Sequence, residues 1–102
     1  MKRLLPLLGL FGLAAMLRAA DAGDLMREAL AAEARLDSRA ALRLYEQADA
    51  ARPNDAFILQ KIARQYSDLV VEQPDVEAKK RYAQTALDYA ERAGRHALTI
   101  FA

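Results

Sequence analysis

Apolar side chains recur along this chain at spacings of three and four residues, the periodicity of one face of an α-helix. Leu25, Ala29, Ala32 and Leu36 make one such face and predict a helix over about 24–36. Asp37 and Ser38 interrupt it, and either side chain suits the cap of a following helix. Ala41, Leu42, Tyr45, Ala48 and Ala51 form the inward stripe of a second helix over about 38–52. Pro53 stops that helix, because the residue before a proline is driven out of the helical region. Asn54-Asp55 is then a turn, with Asp55 as cap. Ile58, Leu59, Ile62, Ala63, Tyr66, Leu69 and Val70 supply a third apolar face. Glu72-Gln73-Pro74-Asp75 ends the third helix, and Pro74 and Asp75 start a fourth, from Val76 to about Ala93. Its expected core side is Ala78, Tyr82, Ala83, Ala86, Leu87, Tyr89 and Ala90, and Gly94 is expected to close it as the residue just past the helix. No segment alternates as a strand would. The expected fold class is all-α: about four helices in antiparallel helix-turn-helix pairs.

The first 22 residues follow a different pattern. Met1-Lys2-Arg3 is a positive start, Leu4 to Leu17 is a short apolar run, and Ala20-Asp21-Ala22 is an A-x-A exit. Those are the three parts of a secretory signal peptide, and they predict cleavage between Ala22 and Gly23. The apolar run is shorter than the roughly 20 residues a spanning helix needs, so no stable membrane span is expected after cleavage. The predicted location is the periplasm or the cell exterior. The predicted organisation is a signal peptide over 1–22, a helical domain over 23–93 and a tail over 94–102.

Composition narrows the chemistry. The 102 residues suffice for one small domain. Fifteen basic against 14 acidic residues give a net charge of +1, which supplies no electrostatic footprint for nucleic acid. Cysteine is absent, which removes disulfides, thiolate metal sites, a cysteine nucleophile and a lipidated cysteine anchor.

The run Ala41-x3-Tyr45-x2-Ala48-x4-Pro53, followed by Leu59-x2-Ile62-Ala63-x2-Tyr66, resembles the junction between two tetratricopeptide repeats, helix-turn-helix units with a period of 34 residues. On that register the units are 22–55 and 56–93. Small residues stand where two helices cross closely, and aromatics stand where one unit fills the gap to the next. The stretches Ile62 to Leu69 and Ala86 to Ala93 look like a branch of bacterial exported tetratricopeptide proteins. The sequence departs from the family at Glu28 and Ala32, where Leu and Tyr are usual, and at Thr85, where Ala is usual. Extra residues also lie around Val71 to Val76.

The resemblance implies a non-catalytic scaffold that binds a protein or peptide in a concave groove lined by the first helices of successive units. By register, Met26, Arg27 and Leu30 face that groove from the first unit, and Phe57, Gln60, Lys61, Arg64 and Asp68 from the second. Lys61 and Arg64, three residues apart, share a face and suit a peptide carboxylate. Such arrays normally need about three repeats and a polar cap. Three explanations of the open end compete: a truncated longer array, which is favoured; a homo-oligomer that buries the end; and a four-helix domain standing alone. No catalytic motif or cofactor site is expected. His96 is the only histidine, and Glu72, Asp75 and Glu77 read as turn chemistry. Lys79-Lys80-Arg81 reads as a solvated face, and the four tyrosines as core.

Overall fold

The computed structural model describes residues 21–101, with side chains placed through Leu98. Residues 1–20, which hold most of the expected signal peptide and Ala20 of its exit site, lie outside the described residues. Four α-helices follow in order, and no strand occurs among the described residues. The chain is all-α, as its periodicity predicts.

Helix α1 spans Ala22–Ala34. It starts two residues earlier than expected, because the Asp21 carboxylate accepts from the Gly23 N–H at 3.1 Å and caps it. Ala22, the last residue of the expected signal, is buried within α1. The helix also ends earlier. Leu36 takes a left-handed conformation with φ 61°. Its N–H donates to Glu33 O at 2.9 Å, and the Asp37 N–H donates to Ala32 O at 3.0 Å. This paired closure satisfies carbonyls that the helix end leaves open. It turns Leu36 out of the apolar face it was expected to extend, leaving it 90% exposed.

Helix α2 spans Ser38–Ala51, with the Asp37 carboxylate accepting from the Ala40 N–H. Asn54 takes the left-handed turn position with φ 63°. Asp55 then caps helix α3, Ala56–Leu69, accepting from the Phe57 and Ile58 N–H groups at 3.0 and 3.1 Å. A 3₁₀ turn, Val70–Glu72, takes up the extra residues seen in the sequence. Asp75 accepts from the Ala78 N–H at 2.8 Å and starts helix α4, Val76–Phe101.

Each helix packs on the next: α1 on α2, α2 on α3, and α3 on α4. Ala29 and Ala32 meet Ala41 and Ala48 in the core, all with no exposed surface. Side chains this small let two helices approach closely. Tyr45, Ile58 and Ile62 are fully buried in the same core, where α2 meets α3.

Helix α4 differs from its sequence-based description in two ways. Gly94 lies inside the helix rather than beyond it. No proline follows, and buried Ala93 with half-buried His96 and Ala97 carry the inward face onward. Its inward side is Ala78, Tyr82, Thr85, Ala86, Tyr89 and Ala93, whereas Ala83, Leu87 and Ala90 face outward. The helix carries two apolar stripes, and α3 covers one of them.

A leucine in the left-handed region is strained by roughly 1–2 kcal/mol. Leu36→Gly relieves that strain at some cost in unfolded-chain entropy. The expected outcome is a gain of about 0.5–1 kcal/mol in urea unfolding. An unchanged or lower stability would show that the turn stores no strain at Leu36.

Candidate functional site

The face shared by α1 and α3 is organised by one carboxylate. Glu33, in the last turn of α1, is partly buried and accepts from three side chains. The Tyr45 hydroxyl of α2 donates to its Oε1 at 2.9 Å, and Gln65 Nε2 of α3 donates to the same oxygen at 2.9 Å. Lys61 Nζ of α3 donates to Oε2 at 3.3 Å. Tyr45 and Gln65 have no exposed surface. Gln65 Oε1 is buried with no hydrogen-bond donor among the described residues. Burial, and then the hydrogen bond to Glu33, raise the Tyr45 phenol well above the ordinary tyrosine range.

The groove residues expected from the sequence fall into three groups around this carboxylate. Met26 packs in the core and presents little to solvent. Lys61 is engaged: it pairs with Glu33 and lies 5.5 Å from the centre of the Phe57 ring. Arg27 pairs with Asp24 within its own helix. The remainder are open. Phe57 is 51% exposed and Leu30 is 40% exposed. Gln60, Arg64 and Asp68 are exposed, and Arg64 joins no ion pair among the described residues. Phe57, Lys61, Arg64 and Asp68 follow one another at helical spacing along α3 and so share a face.

Sequence reasoning passed over Glu33 and Gln65. Gln65 carried a signal, because it continues the buried positions Ile58 and Ile62 toward Leu69. A polar residue on that stripe requires a buried partner. Nothing local marks Glu33, which stands 28 and 32 residues from its α3 donors.

The other three tyrosines form a second cluster between α3 and α4. Tyr66 stacks on Tyr89 at 5.8 Å and meets the edge of Tyr82 at 5.4 Å. Arg92 lies over the Tyr89 ring at 5.0 Å. Burial raises the Tyr66 phenol, and the neighbouring Glu46 carboxylate adds to that. Burial likewise raises Glu46, while its hydrogen bond with Tyr66 opposes the shift. These residues hold the two helices together.

An open cleft of about 960 Å³ lies where the α2–α3 turn and the start of α3 approach the far half of α4. Phe57 and Gln60 form one wall, and Ala90, Ala93, Gly94 and Ala97 line the other. No helix among the described residues is long and apolar enough to cross a membrane. Comparisons with known protein families, with curated proteins and with solved structures found no match.

Two measurements test the Glu33 cluster. Glu33→Ala leaves the buried Tyr45 and Gln65 donors without an acceptor, while Lys61 can still reach water. The expected loss is about 2–3 kcal/mol by urea unfolding, with Glu33→Gln losing less. The second is alkaline titration. A phenol held above its unfolded value contributes stability that is intact below about pH 10 and is lost as the pH rises through the folded value. Stability is therefore expected to fall above about pH 10, and Tyr45→Phe to flatten that fall. An equally steep fall in the variant would remove Tyr45 from this role.

Proposed function

We propose that this chain is a non-catalytic interaction scaffold that binds a peptide segment of a partner protein on the α1–α3 face. The observation that carries this reading is the half-exposed Phe57 ring two turns along the same face of α3 from Arg64, a cation that joins no ion pair among the described residues, on a face tied to α1 by Glu33. An aromatic surface sharing a helix face with a guanidinium suits a peptide that joins an apolar side chain to a carboxylate. Two helix pairs meeting at the Pro53-Asn54-Asp55 turn, with small residues at the crossings, support a tetratricopeptide-like array. The N-terminal pattern supports export to the periplasm or cell exterior.

A second reading has its own observation. The outward apolar stripe of α4 favours a structural subunit completed by further helices, whether from a longer array or from another chain.

The first reading is tested with a displayed library of random peptides selected on the full chain. Selected peptides are expected to combine an acidic group with an aromatic or aliphatic side chain. Arg64→Glu and Phe57→Ala are each expected to weaken their binding at least tenfold with helicity unchanged. Lys61 is unsuited to this test, because a second carboxylate beside Glu33 would unsettle the fold. Binding that survives both substitutions sinks the proposed face.

A further inference from the structure

We infer that α4 pairs antiparallel with α4 of a second copy of this chain, through its outward apolar stripe. Val76, Ala83, Leu87, Ala90, Gly94 and Leu98 lie along one exposed side of α4, with Ala90 and Gly94 at the cleft that opens toward the start of α3. Val76 is 64% exposed, Leu87 51% and Leu98 72%. Ala83, Ala90 and Gly94 are also exposed. From Ala83 onward the stripe advances by four, three and four residues, through Leu87, Ala90 and Gly94. That alternation is the hydrophobic repeat of a two-helix seam.

The order of residues makes the seam self-complementary. In an antiparallel pair centred between Asp88 and Tyr89, Leu87 of one copy faces Ala90 of the other, and Ala83 faces Gly94. Each large side chain thus meets a small one, and the backbones can approach where Ala83 meets Gly94. The next layer outward sets Lys80 against Ala97. Flanking the seam, Glu91 faces Gln84, so no like charges oppose each other there. A parallel pair would set Lys80 directly against Lys80 inside the seam. That repulsion selects the antiparallel arrangement.

The open cleft adds to the fit. Ala90, Gly94 and Ala97 line its α4 wall, so a second α4 laid along the stripe brings its Leu87 to the cleft edge opposite Phe57. A helix of 26 residues is about 39 Å long, which gives the contact reach across the whole face. The inference rests on α4 and meets the peptide-binding reading only at Phe57, which borders the cleft, so Arg64 and not Phe57 separates the two.

The chain has no native cysteine, which makes directional crosslinking clean. Chains carrying Ala83→Cys and chains carrying Gly94→Cys are mixed and oxidised. The expected product is the mixed disulfide, with little of either like-with-like dimer. Sedimentation of the unmodified full chain is expected to give the dimer mass. Leu87→Glu is expected to return it to the monomer mass with unchanged helicity. Gly94→Glu serves as a second variant. A Cβ at Gly94 meets nothing within 4 Å in the single chain, and glutamate is a better helix former than glycine, so loss of the dimer through a charge placed in the seam does not reflect unfolding. A monomer at all concentrations overturns the inference, as does a like-with-like Ala83→Cys crosslink, or a dimer that both variants leave intact. Arg64→Glu is expected to leave the mass unchanged, which separates this outcome from failure of the peptide-binding face.

Discussion

The Glu33 carboxylate is the constraint on which the arrangement of the first three helices depends. Helices α1 and α3 both pack against α2, but apolar contact alone leaves them free to slide past one another. One carboxylate that accepts from Tyr45 on α2 and from Lys61 and Gln65 on α3 fixes their mutual register. The donors come from fully buried residues or from a lysine whose stem is largely covered. A shift of α1 would therefore leave polar groups unpaired where water cannot reach them. The exposed parts of the same face, Phe57 and Arg64, keep their mutual spacing through α3 itself, and the network sets where they stand relative to α1.

A different mechanism holds the second half together. Between α3 and α4 the joining elements are the rings of Tyr66, Tyr82 and Tyr89, with Glu46 and Arg92 at their polar edges. Aromatic rings in edge and offset contact add geometric preference to burial. Apolar area at α4 thus has two destinations: an inner stripe closed by tyrosines and an outer stripe with nothing of the described chain against it. Two-stripe helices are a usual consequence of layered helical stacking, where every helix except a terminal one has neighbours on more than one side.

Much of the architecture was legible in the sequence. The caps Asp37, Asp55 and Asp75 and the stop at Pro53 act through neighbours within a few residues, so helix number and most boundaries could be read locally. Two kinds of feature could not. The end of α4 is one, because glycine after an alanine-rich helix is a common terminator. Here the residues after Gly94 remain good helix formers with an inward face of their own. Periodicity also merges the two sides of α4, placing Ala83, Leu87 and Ala90 with the core, because it reports apolar faces without saying which has a partner. The Glu33 cluster was invisible for a further reason. Its members are far apart in sequence, and only the packing of α1 beside α3 assembles them. Of the groove residues expected by register, the structure leaves Phe57, Leu30, Gln60, Arg64 and Asp68 open, engages Lys61 and Arg27 in ion pairs, and buries Met26.

The start of α1 bears on how the chain would be processed. Asp21 caps that helix and Ala22 is packed beneath it, so both belong to the folded body although they also form the expected peptidase exit. A protease cutting after Ala22 would remove the capping carboxylate and leave a new ammonium group at the positive end of the helix dipole. A lost cap costs about 1 kcal/mol, and the misplaced charge adds to that. Cutting and folding would then compete for the same three residues. Once α1 has formed, its first turn withholds the scissile peptide from any enzyme that binds its substrate extended.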